Sequence, residues 1–210
     1  MKVKILQKSI FDGQLGELIF VEMLSILCCF VIIYWNTEKC IVGKQKGESK
    51  MSLQKAKAHL AQYGLDGRVR LTEQSSATVE LAAQALGVEA GRIAKTLSFI
   101  VDEKPVLILA EGTARIDNRK FKDVFHTKAK MIPFEDVEFL VGHAPGGVCP
   151  FGVNEGVAVY LDVSLKKYGT VFPAAGESNS DIELTISELE QCSAAVGWID
   201  VCRDSGGNWS

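Results

Sequence analysis

The chain has 210 residues, 47% of them hydrophobic, and a formal net charge of −3. That is room for one domain with a sizeable core plus a segment at either end, and its acid-leaning balance excludes extended duplex binding, which needs a broad basic surface. The six cysteines (Cys28, Cys29, Cys40, Cys149, Cys192, Cys202) make no CxxC and the three histidines (His59, His126, His143) no HExxH, so neither a disulfide framework nor a metal site is expected, and no cofactor is called for.

Residues 18–35 read LIFVEMLSILCCFVIIYW, interrupted by Glu22. The uninterrupted run, residues 23–35, falls short of the roughly 20 residues of a bilayer span. Asp12 and Glu17 stand where a signal peptide carries positive charge. Two readings stay open: a start assigned upstream of the natural one at Met51, or a membrane anchor. The expected organisation is an extension over 1–50, a domain over 51–192 and a C-terminal tail over 193–210, whose end, RDSGGNWS, reads as frayed.

From residue 52 the pattern becomes regular. Leu53, Ala56 and Leu60 share a helical face, with Ser52 as the candidate N-cap and Gly64 beyond the end. Residues 69–71 suit a short strand. Thr78 caps a helix whose Val79, Ala82, Ala83 and Leu86 repeat at i, i+3, i+4, i+7 before Gly87. The apolar runs 97–101 and 106–110 suit a hairpin across residues 102–105, and their near-continuous hydrophobicity predicts burial on both faces. Asp117 caps a helix carrying Phe121, Val124 and Phe125. Pro133 can open another with Phe134, Val137 and Leu140. Strands are expected over 156–161 and 170–172, and a capping box at Thr185 and Glu188 flanked by a Leu184/Leu189 staple. Strands and helices intersperse without βαβ regularity, so the predicted class is α/β of the α+β kind: a compact mixed sheet or partial barrel surrounded by helices.

Two segments carry chemistry. Lys95 stands at the entrance of a strongly apolar strand, where half-burial makes it either a fixed cation for a phosphate or oxyanion, or a snorkelling strand-end lysine. Residues 142–152 (GHAPGGVCPFG) hold four glycines and two prolines. They form either a turn or a loop whose main-chain N–H groups can approach a ligand closely. Cys149 as a nucleophile lacks a recognisable partner and otherwise reads as a small apolar residue. His143 reads as a proton carrier or an ordinary loop histidine. Asp162 orients a substrate amine or caps a helix. Six Lys/Arg against two Asp between residues 115 and 130 make Arg115, Arg119, Lys120 and Lys122 candidates for gripping a nucleic-acid backbone, or a solvated helix face.

Taken together, SSATVELAAQALGV (75–88), AKTLSF (94–99), the GxxxP loop at 146–150 followed by Phe151 and Gly152, and VFPAAG…DIELT (171–185) resemble the YbaK/EbsC family in order and spacing. That family comprises free-standing relatives of the editing domain of bacterial prolyl-tRNA synthetases. The resemblance implies a YbaK-like fold and a cytoplasmic trans-editing deacylase that hydrolyses mischarged tRNA, with tRNA for proline as the expected substrate. Lys95 matches the family's essential lysine. The main chain of Gly146, Gly147, Val148 and Cys149 would hold the terminal adenosine and ester carbonyl. Pro150, Phe151, Gly152, Asp162, Gly176 and Ser178 would shape the substrate site. The implied partners are the 3′ acceptor end of aminoacyl-tRNA and, as a further candidate, prolyl-tRNA synthetase; no membrane partner is expected. Some relatives carry a histidine where this chain has Glu73, Gln74, Ser75 and Ser76, a difference that bears on amino-acid specificity. The competing readings are a non-catalytic module that binds an aminoacylated end and a membrane-anchored envelope protein.

Overall fold

The computed structural model describes residues 48–72 and 78–203, which lie within one compact unit of the chain, Gln45–Ser210. The apolar run at 18–35 and the Glu73, Gln74, Ser75 and Ser76 positions fall outside the described residues, as does the end of the tail beyond Arg203. Among the described residues no helix is long and apolar enough to cross a membrane.

The centre is a hairpin of β2 (Ile93–Val101) and β3 (Lys104–Glu111). Its turn is only two residues: Asp102 and Glu103 both have positive φ, 47° and 65°, the handedness that matches strand twist. Lys104 and Pro105 therefore belong to the strand and face Val101 and Ile100. Around this hairpin a curled six-stranded sheet forms in the order β8 (Leu184–Thr185), β6 (Thr170–Pro173), β2, β3, β5 (Ala158–Asp162), β9 (Gly197–Ile199). β6 runs parallel to β2, and β5 parallel to both β3 and β9. Two small antiparallel pairs complete it: β1 (Arg70–Leu71) with β7 (Ser180–Asp181), and β4 (Arg115–Ile116) with β10 (Cys202–Arg203).

β3 shows why its sequence reads as a continuous apolar run. Leu107 and Leu109 enter one core with Val159, Leu161, Cys149 and Phe151. Val106, Ile108 and Ala110 enter a second core with Phe99, Phe121 and Val201. With side chains alternating between faces, both faces must be covered. The first is covered by α1 (Glu48–Ala61), α4 (Val137–Val141) and α5 (Ile186–Cys192), the second by α3 (Asn118–Phe125). α2 (Val79–Leu86) packs Ala82 and Ala83 on Ile93 and Phe172.

Several boundaries differ from the sequence reading. α1 begins at Glu48, so Ser52 is not its N-cap; Ser52 is buried with Ala56 and Leu60 at i, i+4, i+8, and its hydroxyl accepts from the Ala144 N–H at 3.4 Å. Pro133 opens a 3-10 turn, Phe134–Asp136, and α4 follows it. The sheet also continues past Cys192. β9 extends it at the edge, Val201 is fully buried and Cys202 nearly so, so residues 193–203 are domain rather than tail.

Candidate functional site

β2 has a gap along one edge. At its start β6 pairs with it at Ile93 and Ala94. Farther on, segment 130–132 takes over: the Ile100 N–H donates to the Lys130 carbonyl at 2.9 Å and the Ile132 N–H to the Ser98 carbonyl at 3.1 Å. Main-chain polar groups alternate sides along a strand, so Thr96, like Ser98 and Ile100, turns its N–H and C=O toward this edge, where no strand lies opposite among the described residues. Beside the gap is a cavity of about 440 Å³. Its wall is largely apolar, with Val79 and Leu86 from α2, Phe172 from β6, and Met131 and Phe134; the last two are 58% and 75% exposed.

Four of the residues singled out from the sequence meet at this cavity: Lys95, Gly146, Val148 and Ser178. Lys95 is partly buried, and burial pulls its pKa below the ordinary lysine value, with Cys202 and Glu111 opposing. Its ammonium donates to the Gly112 carbonyl at 2.9 Å and to that of Ala114. Two of its three donors are therefore fixed by the turn after β3.

The glycine loop is held by close approach. A Cβ on Gly147 would stand 2.5 Å from the Gly176 carbonyl oxygen, and Gly146 has φ +90°, so both positions require glycine. The Gly147 N–H is occupied by the Ala144 carbonyl at 3.0 Å, and of the loop residues Gly146 and Val148 line the cavity. Gly176 (φ +99°) lies against the Ser52 main chain and Gly152 (φ +66°) against that of Lys55, both contacts with α1.

Cys149, Pro150 and Phe151 are buried behind the loop. The Cys149 sulfur lies 3.6 Å from His143 Nε2, a partner that the sequence did not reveal. Burial works against the pair as a nucleophile, since it pushes the thiol up to about 12 and pulls the imidazole down to about 4. Nε2 also lies 2.8 Å from the Phe151 carbonyl, so it carries its proton there and cannot take one from sulfur. Asp162, 1% exposed, accepts from the N–H groups of Ser164, Val201 and Cys202; of its two readings, the cap is the one realised. Among the described residues no cluster of His, Cys, Asp and Glu could hold a metal ion.

Arg115, Arg119 and Lys122 are exposed on β4 and α3. The Lys120 ammonium is engaged, with Asp200 Oδ1 at 2.7 Å and the Cys202 carbonyl at 2.9 Å. The sequence reading missed Asp181, which lines the cavity. Its signal was the alternation in DIELT: Ile182 and Leu184 are fully buried in the core, which turns Asp181 to the other face.

A family model described as "Aminoacyl-tRNA editing domain" matches residues 73–192. The "Uncharacterized protein YwhH" of Bacillus subtilis (strain 168) is 49% identical over 155 residues, covering 73% of this chain and 99% of the relative. The "Putative Cys-tRNA(Pro)/Cys-tRNA(Cys) deacylase EbsC" of Enterococcus faecalis is 31% identical over 109 residues, 51% of this chain and 66% of its own. A solved structure described as "a putative trans-editing enzyme for prolyl tRNA synthetase" superposes with a TM-score of 0.66 at 31% identity, covering 72% of this chain and 97% of that one.

Proposed function

Since the chain belongs to the aminoacyl-tRNA editing domain family, we propose that it is a deacylase acting in trans on mischarged tRNA, with tRNA for proline as its tRNA. The observation that carries this reading is one cavity lined both by Lys95 and by the loop residues Gly146 and Val148. The names of the two relatives just described support the choice of tRNA and suggest prolyl-tRNA synthetase as a partner. Such an enzyme works in the cytoplasm, where tRNA is charged.

An aminoacyl ester is already activated, so hydrolysis needs positioning and a stabilised oxyanion more than a protein nucleophile. Lys95 is fixed through two donors, and its third N–H binds the terminal phosphate or the ester carbonyl. The Val148 and Cys149 amides stabilise the oxyanion, and water attacks. With its sulfur buried and protonated, Cys149 contributes its main chain alone. The cavity volume, about 440 Å³, is in the range of small-molecule sites and exceeds what a small amino acid alone would fill. Exposed Arg115, Arg119 and Lys122 offer the acceptor stem a local positive face.

The test is a panel of purified aminoacyl-tRNAs that includes Ala-, Cys- and Ser-tRNA for proline beside correctly charged Pro-tRNA. Hydrolysis of at least one mischarged species, with Pro-tRNA spared, is expected. Failure to hydrolyse any aminoacyl-tRNA would overturn the reading.

A further inference from the structure

Among the described residues two charged side chains line the cavity, Lys95 and Asp181. Asp181 is 6% exposed, and among the described residues hydrogen bonds reach only one of its oxygens. Across the β1–β7 pair, Arg70 donates to Oδ1 twice, from Nε at 3.1 Å and Nη2 at 2.9 Å. Arg70 is itself held over the Phe172 ring, 5.4 Å from its centroid, so the carboxylate is fixed from behind. Oδ2 carries no hydrogen bond among the described residues. Arg70 supplies a cation from behind, and on the cavity side, set in a mostly apolar wall, the carboxylate can take a second charged donor.

We propose that Asp181 is a specificity-determining residue that binds the free α-ammonium of the amino acid. It would make the domain accept aminoacyl esters and reject esters whose amine is acylated, as in peptidyl-tRNA or N-formylated aminoacyl-tRNA. The inference rests on the deacylase reading. The charge pattern fits such a ligand: an aminoacylated 3′ end carries an ammonium at the amino acid and a phosphate beyond the ribose, and the cavity offers one anion and one cation. The amine-orienting role considered for Asp162 passes to Asp181, because Asp162 is committed to three main-chain N–H groups. An acylated amine is neutral and would give the carboxylate no charged donor on the cavity side.

Ala-, Cys- and Ser-tRNA for proline, each with its amine free and acetylated, test this in wild type and Asp181→Asn. The asparagine keeps an oxygen for Arg70, so the melting temperature should hold. Wild type should cleave the acetylated form of any substrate about tenfold more slowly or worse. Asp181→Asn should lose most of its activity on the free-amine form and compress that ratio below about threefold. Equal cleavage of both forms by wild type, or an undiminished ratio in Asp181→Asn, overturns the proposal while leaving the deacylase reading standing. If wild type cleaves none of them, that reading fails instead. Calorimetric binding of non-hydrolysable 3′-aminoacylamino-3′-deoxyadenosines carrying Ala, Cys or Ser then decides on Asp181: binding that depends on the amine and is lost in Asp181→Asn sustains it, and binding without that dependence, or none, overturns it.

Discussion

Lys95 is held by two carbonyls of the turn that follows β3, an arrangement unlike a strand-end lysine trailing into solvent. Lys95→Ala should therefore leave the far-ultraviolet circular dichroism and melting curve nearly unchanged, yet lower kcat/KM for a mischarged tRNA by about 100-fold or more, on the order of 3 kcal/mol. Lys95→Arg should also be impaired, since a larger planar head cannot occupy the same two-carbonyl seat. Full activity in Lys95→Ala would sink the proposed mechanism. The position was legible in the sequence because a charge at the mouth of an apolar strand breaks the pattern. Its partners were not, since Gly112 and Ala114 show nothing at the sequence level of what their carbonyls meet. The same limit hid the His143–Cys149 contact. Both residues stood in the recognised loop, but only folding shows that burial makes them neutral neighbours rather than a catalytic pair.

At the scale of elements, what depends on near neighbours was readable. Thr78 caps α2 and Gly87 ends it in the left-handed region, Asp117 caps α3, and Thr185 with Glu188 forms the expected reciprocal box on α5. Strands of two or three residues were harder. β7, β8, β9 and β10 are too short for a period to emerge and exist through their partners. The α5 box adds a contact that the sequence did not show: Arg68 Nη1 donates to Glu188 Oε1 at 2.6 Å. That bond, followed by the Thr185 N–H, holds the Glu188 carboxyl down to about 2. A folded-state value below the unfolded one, about 4.3, contributes stability that is present above the unfolded value and lost as pH falls through the folded one. Glu188→Gln, which can still reach back to the cap, should melt slightly below wild type at neutral pH. The difference should be small, because the pair is exposed and screened, and it should vanish as pH falls from about 4.3 to 2. A difference independent of pH across that window would assign Glu188 a packing role instead.

For the whole molecule, the overall class was legible because apolar runs buried on both faces and interspersed helices leave few architectures. Residues 193–203 were left out of the expected domain because β9, only three residues long, is too short for a strand period to emerge, although AAVGWIDVC is mostly apolar. Two main-chain contacts tie residues 201–202 to the core. Asp162 is buried at the end of β5, and two of its three donors are the Val201 and Cys202 N–H groups. Cutting the chain after Cys192 would remove both donors, strip β9 from the sheet edge and leave a buried carboxylate underpaired. Breaking a buried charged contact by removing one side typically costs about 3–5 kcal/mol, which in a domain of this size lowers the melting temperature by roughly 10 °C. Residues 48–203 expressed alone should melt cooperatively and retain deacylation, whereas residues 51–192 should melt at least that much lower or fail to fold. Asp162→Asn within 48–203 separates the two contributions: a loss comparable to the truncation would make the orphaned carboxylate the cause, and a much smaller loss would point to the missing strand and the buried Val201. Equal melting of 48–203 and 51–192 would show instead that β9 and β10 are ornaments on a core already complete at Cys192.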